Sequence, residues 1–307
     1  MTVSREDVER AREAIARRVR RTPVLASPEL GVALKAELFQ ETGSFKARGA
    51  LNRVLALGDD ERRRGVVTWS AGNHAQAVAW ACAQSGVDCL VCMWEHASPL
   101  KVEATRDYGA SVDTSSPDAA AAYERVQAVV VREGRVFVHP HDDPFVVAGH
   151  GTLALEIVED VPEVSTVVVG VGGGGLTSGI LVALDGRARV VAVEPERAAC
   201  FSAGLAAGRS VRVETDTIAD GLAPPFAGEL PLQLCRGRVD TVLVSEDEIR
   251  EGMRFLYGRA KLACEPAGAA AAGAMLAGKV DAGPGVVVVV SGGNVEPREA
   301  AAILALP

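Results

Sequence analysis

An α/β fold with two open parallel-sheet lobes is the architecture that this 307-residue chain predicts. Three observations lead to it. Short apolar runs rich in valine alternate with segments of helical period, the pattern of strands buried on both faces and joined through helices. The connections between them are short, as in βα units. No period of about 20–50 residues repeats, and no linker rich in Gly, Ser or Pro divides the chain. Two lobes crossed more than once by the chain therefore fit better than two independent beads. The predicted division is 1–52 with 144–307 for a large cofactor-binding domain, and 53–143 for a small, mobile substrate domain.

Taken in order, Ser4 with Asp7 resembles a capping box, and Val8, Ala11, Ile15 and Val19 repeat at helical spacing. A first helix is predicted to about residue 20, ended by Arg21-Thr22-Pro23. Residues 34–39 alternate and read as a strand that delivers the chain to Gly43. A helix follows to about 57. Then come strand 66–69, helix 74–85, strand 88–93, helix 98–108, a short strand, an alanine-rich helix over 117–132 and strand 136–138. A second series begins after His139-Pro140-His141-Asp142-Asp143-Pro144. It comprises helix 145–158, strand 166–170, a glycine loop, helix 176–184 and strand 190–194. Strand 239–244, a helix capped by Ser245 with Glu248, helix 266–276, strand 286–290 and a terminal helix complete the pattern. No room is expected for an appended regulatory domain.

Composition narrows the function classes. A hydrophobic share of 48% with 23% charged residues is that of a soluble globular chain, and a formal net charge of -8 makes nucleic acid an unexpected partner. No apolar run reaches about 18 residues, so no membrane partner is expected. The N-terminal segment is charged and amphipathic rather than a signal peptide. Six cysteines are present, of which only Cys89 and Cys92 form a C-x-x-C. On a strand these two point to opposite faces. They read as small buried hydrophobes in a reducing cytoplasm.

Four stretches carry chemistry. In Gly43-Ser44-Phe45-Lys46-Ala47-Arg48-Gly49-Ala50, a lysine follows an aromatic residue and is enclosed by small ones. A desolvated lysine loses its proton more easily and attacks carbonyls. Ser70-Ala71-Gly72-Asn73-His74 follows a strand and opens a helix, where backbone donors with Ser70, Asn73 and His74 suit a small carboxylate. Gly170-Val171-Gly172-Gly173-Gly174-Gly175-Leu176 does the same after a valine strand. Its adjacent glycines let amides close on a phosphate without Cβ clashes. Ser291-Gly292-Gly293-Asn294 follows the five-valine strand. Ligands of open parallel sheets bind beyond the carboxyl ends of strands, so the four can share one crevice. A dinucleotide reading also fits the third stretch, because Gly170, Gly172 and Gly175 match G-x-G-x-x-G and Glu194 ends the next strand. It explains one stretch. Pyridoxal phosphate explains all four: lysine for the aldehyde, glycines for the phosphate, serine for the ring nitrogen, and a carboxylate site for an amino acid.

With these stretches in hand, the chain resembles the threonine dehydratase and serine racemase family of fold-type-II pyridoxal phosphate enzymes, which are tryptophan-synthase-β-like. The resemblance runs nearly the whole length. It also takes in His139-Pro140 with Asp142-Asp143, Ala148-Gly149-His150-Gly151-Thr152, Ile218-Ala219-Asp220-Gly221 and Glu265-Pro266. It implies that Lys46 carries the cofactor and that Phe45 packs beside the ring. It implies that Asn73 bonds the ring hydroxyl, that Gly172, Gly173, Gly174 and Gly175 hold the phosphate, and that Ser291 faces the pyridine nitrogen. Ser70, Ala71, Gly72, Asn73 and His74 would surround the substrate, and His141 is placed toward its side chain. The implied activity is an ammonia-lyase acting on a β-hydroxy amino acid, threonine or serine by default, in a cytoplasmic homodimer. A β-replacement or other β-elimination enzyme of the same fold, or an inactive nucleotide-binding protein, are the alternatives.

Three positions depart from the family pattern. His150 stands where glutamine is usual, and His141 where phenylalanine or asparagine is usual. Cys200 stands where the family's cation site has an acidic residue, so no metal ligands are assigned. Racemases of the family also place a serine where this chain has Ala71.

Overall fold

In the computed structural model, residues 2–305 are described and hold two sheets. The strands are β1 (Val24–Ser27), β2 (Val32–Ala36), β3 (Val66–Trp69), β4 (Cys89–Trp94) and β5 (Ser111–Ser116), then β6 (Val136–Phe137), β7 (Thr166–Gly170), β8 (Arg189–Pro195), β9 (Asp240–Val244) and β10 (Val286–Val290). The larger sheet runs β1-β2-β10-β7-β8-β9 and the smaller β5-β4-β3-β6. Every pairing is parallel except the β1–β2 hairpin.

The helices are α1 (Arg5–Ile15), α2 (Lys46–Leu55), α3 (Asp59–Arg64), α4 (Asn73–Ala83), α5 (Pro99–Asp107), α6 (Ala119–Glu133) and α7 (Pro144–Asp160). They continue with α8 (Gly175–Leu184), α9 (Cys200–Ala207), α10 (Glu229–Cys235), α11 (Glu246–Phe255), α12 (Pro266–Leu276) and α13 (Pro297–Ala305). The valine strands follow from this layering. Val287 and Val289 of β10 join the core under α1, α7 and α8, while Val286, Val288 and Val290 join the core under α11, α12 and α13. Both faces are dry, so an alternation of apolar and polar residues is absent. In the smaller sheet Cys89 packs with α2 and α4, and Cys92 packs with α6 on the other face. All six cysteines are buried and free.

Local chemistry sets the element ends. Ser4 and Asp7 form the capping box of α1, and Ser245 with Glu248 forms that of α11. Pro144 occupies the first turn of α7, where Asp143 accepts hydrogen bonds from the amides of Phe145 and Val146. Two boundaries differ from the sequence expectation. The first helix ends at Ile15, and Val19 reaches the small-lobe core from a turn instead. Strand β2 ends at Ala36 rather than near 39, because Glu37 turns inward in a 3-10 turn to meet Arg48.

That contact is part of a closed ionic cluster. Arg48 grips Glu37 through Nε and Nη2, each at 2.8 Å, and grips Glu156 through Nη1 at 2.7 Å and Nη2 at 2.9 Å. Lys35 donates to Glu156 at 2.6 Å and to the Thr22 carbonyl at 2.7 Å. The four charged groups are buried and balance, and they tie β2, α2 and α7 together two residues after Lys46. Arg48→Met fills the same space but strands the Glu37 carboxylate and leaves Glu156 to Lys35 alone, so it is expected to cost about 3–5 kcal/mol. Urea denaturation of both proteins measures this, and a change below about 1 kcal/mol would contradict the account.

Candidate active site

The four chemistry-bearing stretches lie at the carboxyl ends of strands from both sheets and line one cavity of about 1210 Å³. Phe45, Lys46, Ser70, Ala71, Gly72, Asn73, His74, His141, Gly172, Gly173, Gly174, Gly175 and Ser291 all border it.

Lys46 is held by its backbone and its surroundings. The segment before it pairs with the end of β10: Phe45 N donates to Ser291 O at 3.0 Å, and Gly293 N donates to Gly43 O at 3.0 Å. Gly43 has φ 73° there, and a Cβ would sit 2.3 Å from Asn294 Oδ1. Lys46 then opens α2, with its Nζ 2.8 Å from the Pro140 carbonyl and 5.1 Å from the Phe45 ring centre. Burial, with no carboxylate beside it to offset the desolvation, brings its pKa down from 10.5 to about 8.

Opposite stands the Ser70 loop. Ser70 Oγ accepts from Gly72 N at 3.1 Å, and Asn73 opens α4. His74 reaches the Val138 carbonyl through Nε2 at 3.1 Å, leaving Nδ1 buried without a partner among the described residues. Asn73 donates to Glu265 Oε1 at 2.7 Å and accepts from Asn294 Nδ2 at 2.7 Å. Burial first, and then Asp220, push the Glu265 carboxyl up to about 7. This Glu265–Asn73–Asn294 chain joins residues 192 and 221 positions apart, a link that no local pattern in the sequence reveals.

The glycine loop joins β7 to α8. Every added Cβ would collide: at Gly172 with Pro224 at 2.8 Å, at Gly173 with the His141 ring at 2.3 Å, and at Gly174 (φ +90°) with Phe201 at 2.6 Å. Among the described residues, the amides of Gly172 to Gly175 donate no backbone hydrogen bond. They open α8, so they are free for an anion. Thr177, on the first turn of α8, borders the cavity with its Oγ1 buried and, among the described residues, unpartnered. Glu194, the acid a dinucleotide reading requires, is spent elsewhere. It is buried, its carboxylate accepts from Phe201 N at 2.6 Å and Ser202 N at 3.0 Å, and burial brings its pKa up to about 7. Cys200 is also buried, with Sγ 3.6 Å from the Gly172 carbonyl.

His150 lies away from solvent, edge-on to Phe45 with ring centres 4.8 Å apart. It fills the space above Gly49, where a Cβ would be 2.4 Å from its ring. Trp69 at the end of β3, Tyr123 on α6 and Phe226 on the loop before α10 also meet at the cavity wall.

A family model for pyridoxal-phosphate dependent enzymes matches residues 15–292. The chain belongs to that family. Its relatives include the L-threonine ammonia-lyase of Thermotoga maritima, 42% identical over 306 residues that cover 96% of this chain and 76% of that one. The catabolic L-threonine dehydratase of Escherichia coli is 41% identical over 310 residues, covering 96% and 94%. Among solved structures, the serine racemase of maize superposes with a TM-score of 0.92 at 34% identity, covering 97% and 95%. The fold-type-II architecture and the pyridoxal phosphate dependence expected from the sequence are those of this family. The residues present fit the cofactor: a glycine cradle that admits no Cβ, an unpartnered Thr177 hydroxyl beside it, and a buried lysine depressed toward its neutral form in the same cavity.

Proposed function

We propose that the chain is a pyridoxal phosphate-dependent ammonia-lyase that converts a β-hydroxy amino acid, threonine or serine by default, to a 2-oxo acid and ammonia. One observation carries the reading. The Lys46 amine, buried and depressed to about 8, shares a cavity with the free amides of the glycine loop and the donors of the Ser70 loop.

Lys46 would hold the cofactor, and its amine, when free, takes the proton from the substrate Cα. A pKa near 8 instead of 10.5 raises its neutral fraction at neutral pH by roughly two orders of magnitude. The bound cofactor supplies the electron sink that acidifies that proton. Pro140 holds the amine through its carbonyl, and Phe45 supplies an apolar face next to it. The α4 N-terminus with Ser70, Asn73 and His74 receives the substrate carboxylate. Asn73 is locked between Glu265 and Asn294 and would meet the ring hydroxyl in a fixed orientation, and Ser291, which borders the cavity, would face the ring nitrogen. Gly172 to Gly175 hold the phosphate. Residues 53–143 act as the mobile substrate lobe, and the enzyme works as a cytoplasmic homodimer. A screen of β-hydroxy amino acids for 2-oxo acid release, acidic and bulky side chains included, tests the activity. No release from any of them would overturn it.

Ala71 decides between elimination and racemisation. Racemisation needs a proton donor on each face of the substrate Cα, and Lys46 serves one. Ala71 borders the cavity next to Ser70, and its methyl group neither gives nor takes a proton. L-serine is therefore expected to yield pyruvate with almost no D-serine. Chiral chromatography of the reaction checks this, and D-serine accumulating as fast as pyruvate would reassign the enzyme.

A further inference from the structure

The sequence position of His141 directs it toward the substrate side chain. In the structure it borders the cavity and also sits against the glycine loop. Its ring atoms lie 2.3–2.5 Å from where a Gly173 Cβ would be, and its Cα, Cβ and carbonyl lie 3.0–3.1 Å from where a Gly175 Cβ would be. The side chain is 5% exposed, and its Nε2 has no hydrogen-bond partner among the described residues. Thr177 Oγ1, fully buried on the first turn of α8, is likewise without one. Both residues border the cavity.

A buried polar atom left unpaired costs about 1–3 kcal/mol, so two of them on residues that line the same cavity as a set of free amides demand an explanation. The three groups share one chemistry. Amide N–H, hydroxyl O–H and imidazole N–H all donate to an oxyanion, and bonds to a charged acceptor are the strong ones. Among the described residues, two other rings stand close to that of His141. The neighbouring His139 stands edge-on at 4.6 Å and Phe226 at 6.3 Å. The His139 Nδ1 is already engaged, accepting from the backbone amides of His141 and Asp142. Burial, with His139, Lys46 and His74 nearby, keeps the His141 imidazole neutral. One ring nitrogen therefore carries a proton to donate and the other does not.

We propose that His141 and Thr177 form the side-chain half of the phosphate site, the imidazole Nε2–H and the hydroxyl each donating to a phosphate oxygen that the Gly172 to Gly175 amides cradle. This assignment rests on the cofactor reading above. His141 is then a positioning residue for the cofactor, and substrate selection falls to other residues of the cavity.

The test uses the apoprotein and two probes that lack the aldehyde: 4-deoxypyridoxine 5'-phosphate and unphosphorylated 4-deoxypyridoxine. Removing a bond to a charged group is worth about 1.5–3 kcal/mol. His141→Phe and Thr177→Val are therefore each expected to weaken the phosphorylated probe by about 10–100-fold. The unphosphorylated probe should bind both variants as it binds wild type, whereas a purely packing role would move both probes together. Thr177→Ser keeps the hydroxyl and should bind the phosphorylated probe like wild type. If His141→Phe does not fold, Thr177→Val with its serine control still decides. Wild-type affinity for the phosphorylated probe in both variants overturns this assignment alone. Failure of wild type to bind either probe overturns the cofactor reading and this assignment with it.

Discussion

Lys46→Ala is expected to abolish turnover and the near-ultraviolet to visible absorbance that marks covalently held pyridoxal phosphate. Two functions leave with one amine: the attachment point and the base at Cα. General-base removal alone is worth about 10²–10⁴ in rate, and loss of attachment adds to it. The fold should survive. A lysine whose pKa is depressed in the folded state burdens that state at low pH, because the unfolded chain binds the extra proton. Its contribution to apoprotein stability is therefore least favourable below about 8 and improves as pH rises toward 10.5. The alanine variant should lack that rise. Thermal unfolding of both apoproteins across this range separates a catalytic loss from a folding loss. A variant that still releases 2-oxo acid at a comparable rate would end the proposed mechanism.

The next largest effect is expected at the glycine cradle. Gly173→Val places a branched Cβ where the His141 ring stands, at 2.3 Å, and that ring is itself buried. Either the ring leaves its place against the loop or the loop backbone moves and its amides lose their convergence, and each disturbs the phosphate site. Pyridoxal phosphate content after dialysis should fall at least about tenfold while far-ultraviolet circular dichroism stays unchanged. Unchanged cofactor content, together with a loss of NAD binding, would favour the dinucleotide alternative instead.

What was legible in the sequence was what is contiguous. The lysine octapeptide, the Ser70 loop, the glycine run and Ser291 each follow a strand, and the short parallel connections told that they share a side of the sheets. Strands such as Val286–Val290 were plain because both faces are buried and every position is apolar. Side-chain partnerships were not legible. Asn73, Glu265 and Asn294 were each noticed within their own motifs, but nothing local says that they bond to one another. Arg48 looked like part of a lysine motif, whereas it is the centre of an ionic cluster that draws Glu37 inward and cuts β2 short. Short elements also escaped: β1 has four residues at a sheet edge, and α9 and α10 have eight and seven with little periodic contrast. Direction was the remaining gap. His141 is at the cavity, as its position suggested, but only coordinates reveal that its ring leans on Gly173.

The place of β10 in the larger sheet has a consequence for how the molecule is made. This strand comes last in the chain yet sits between β2 and β7, pairing Val287 with Ala33. The four strands of the smaller sheet are all synthesised within 66–137, so that lobe is complete on the ribosome while the larger one lacks its middle. Until the final residues emerge, β2 and β7 present unpaired valine- and alanine-lined edges, the kind of surface that recruits other chains. A stop codon before Val286 thus removes the centre of the sheet and the wall that carries Ser291, leaving a product with an intact small lobe and an open, association-prone remainder.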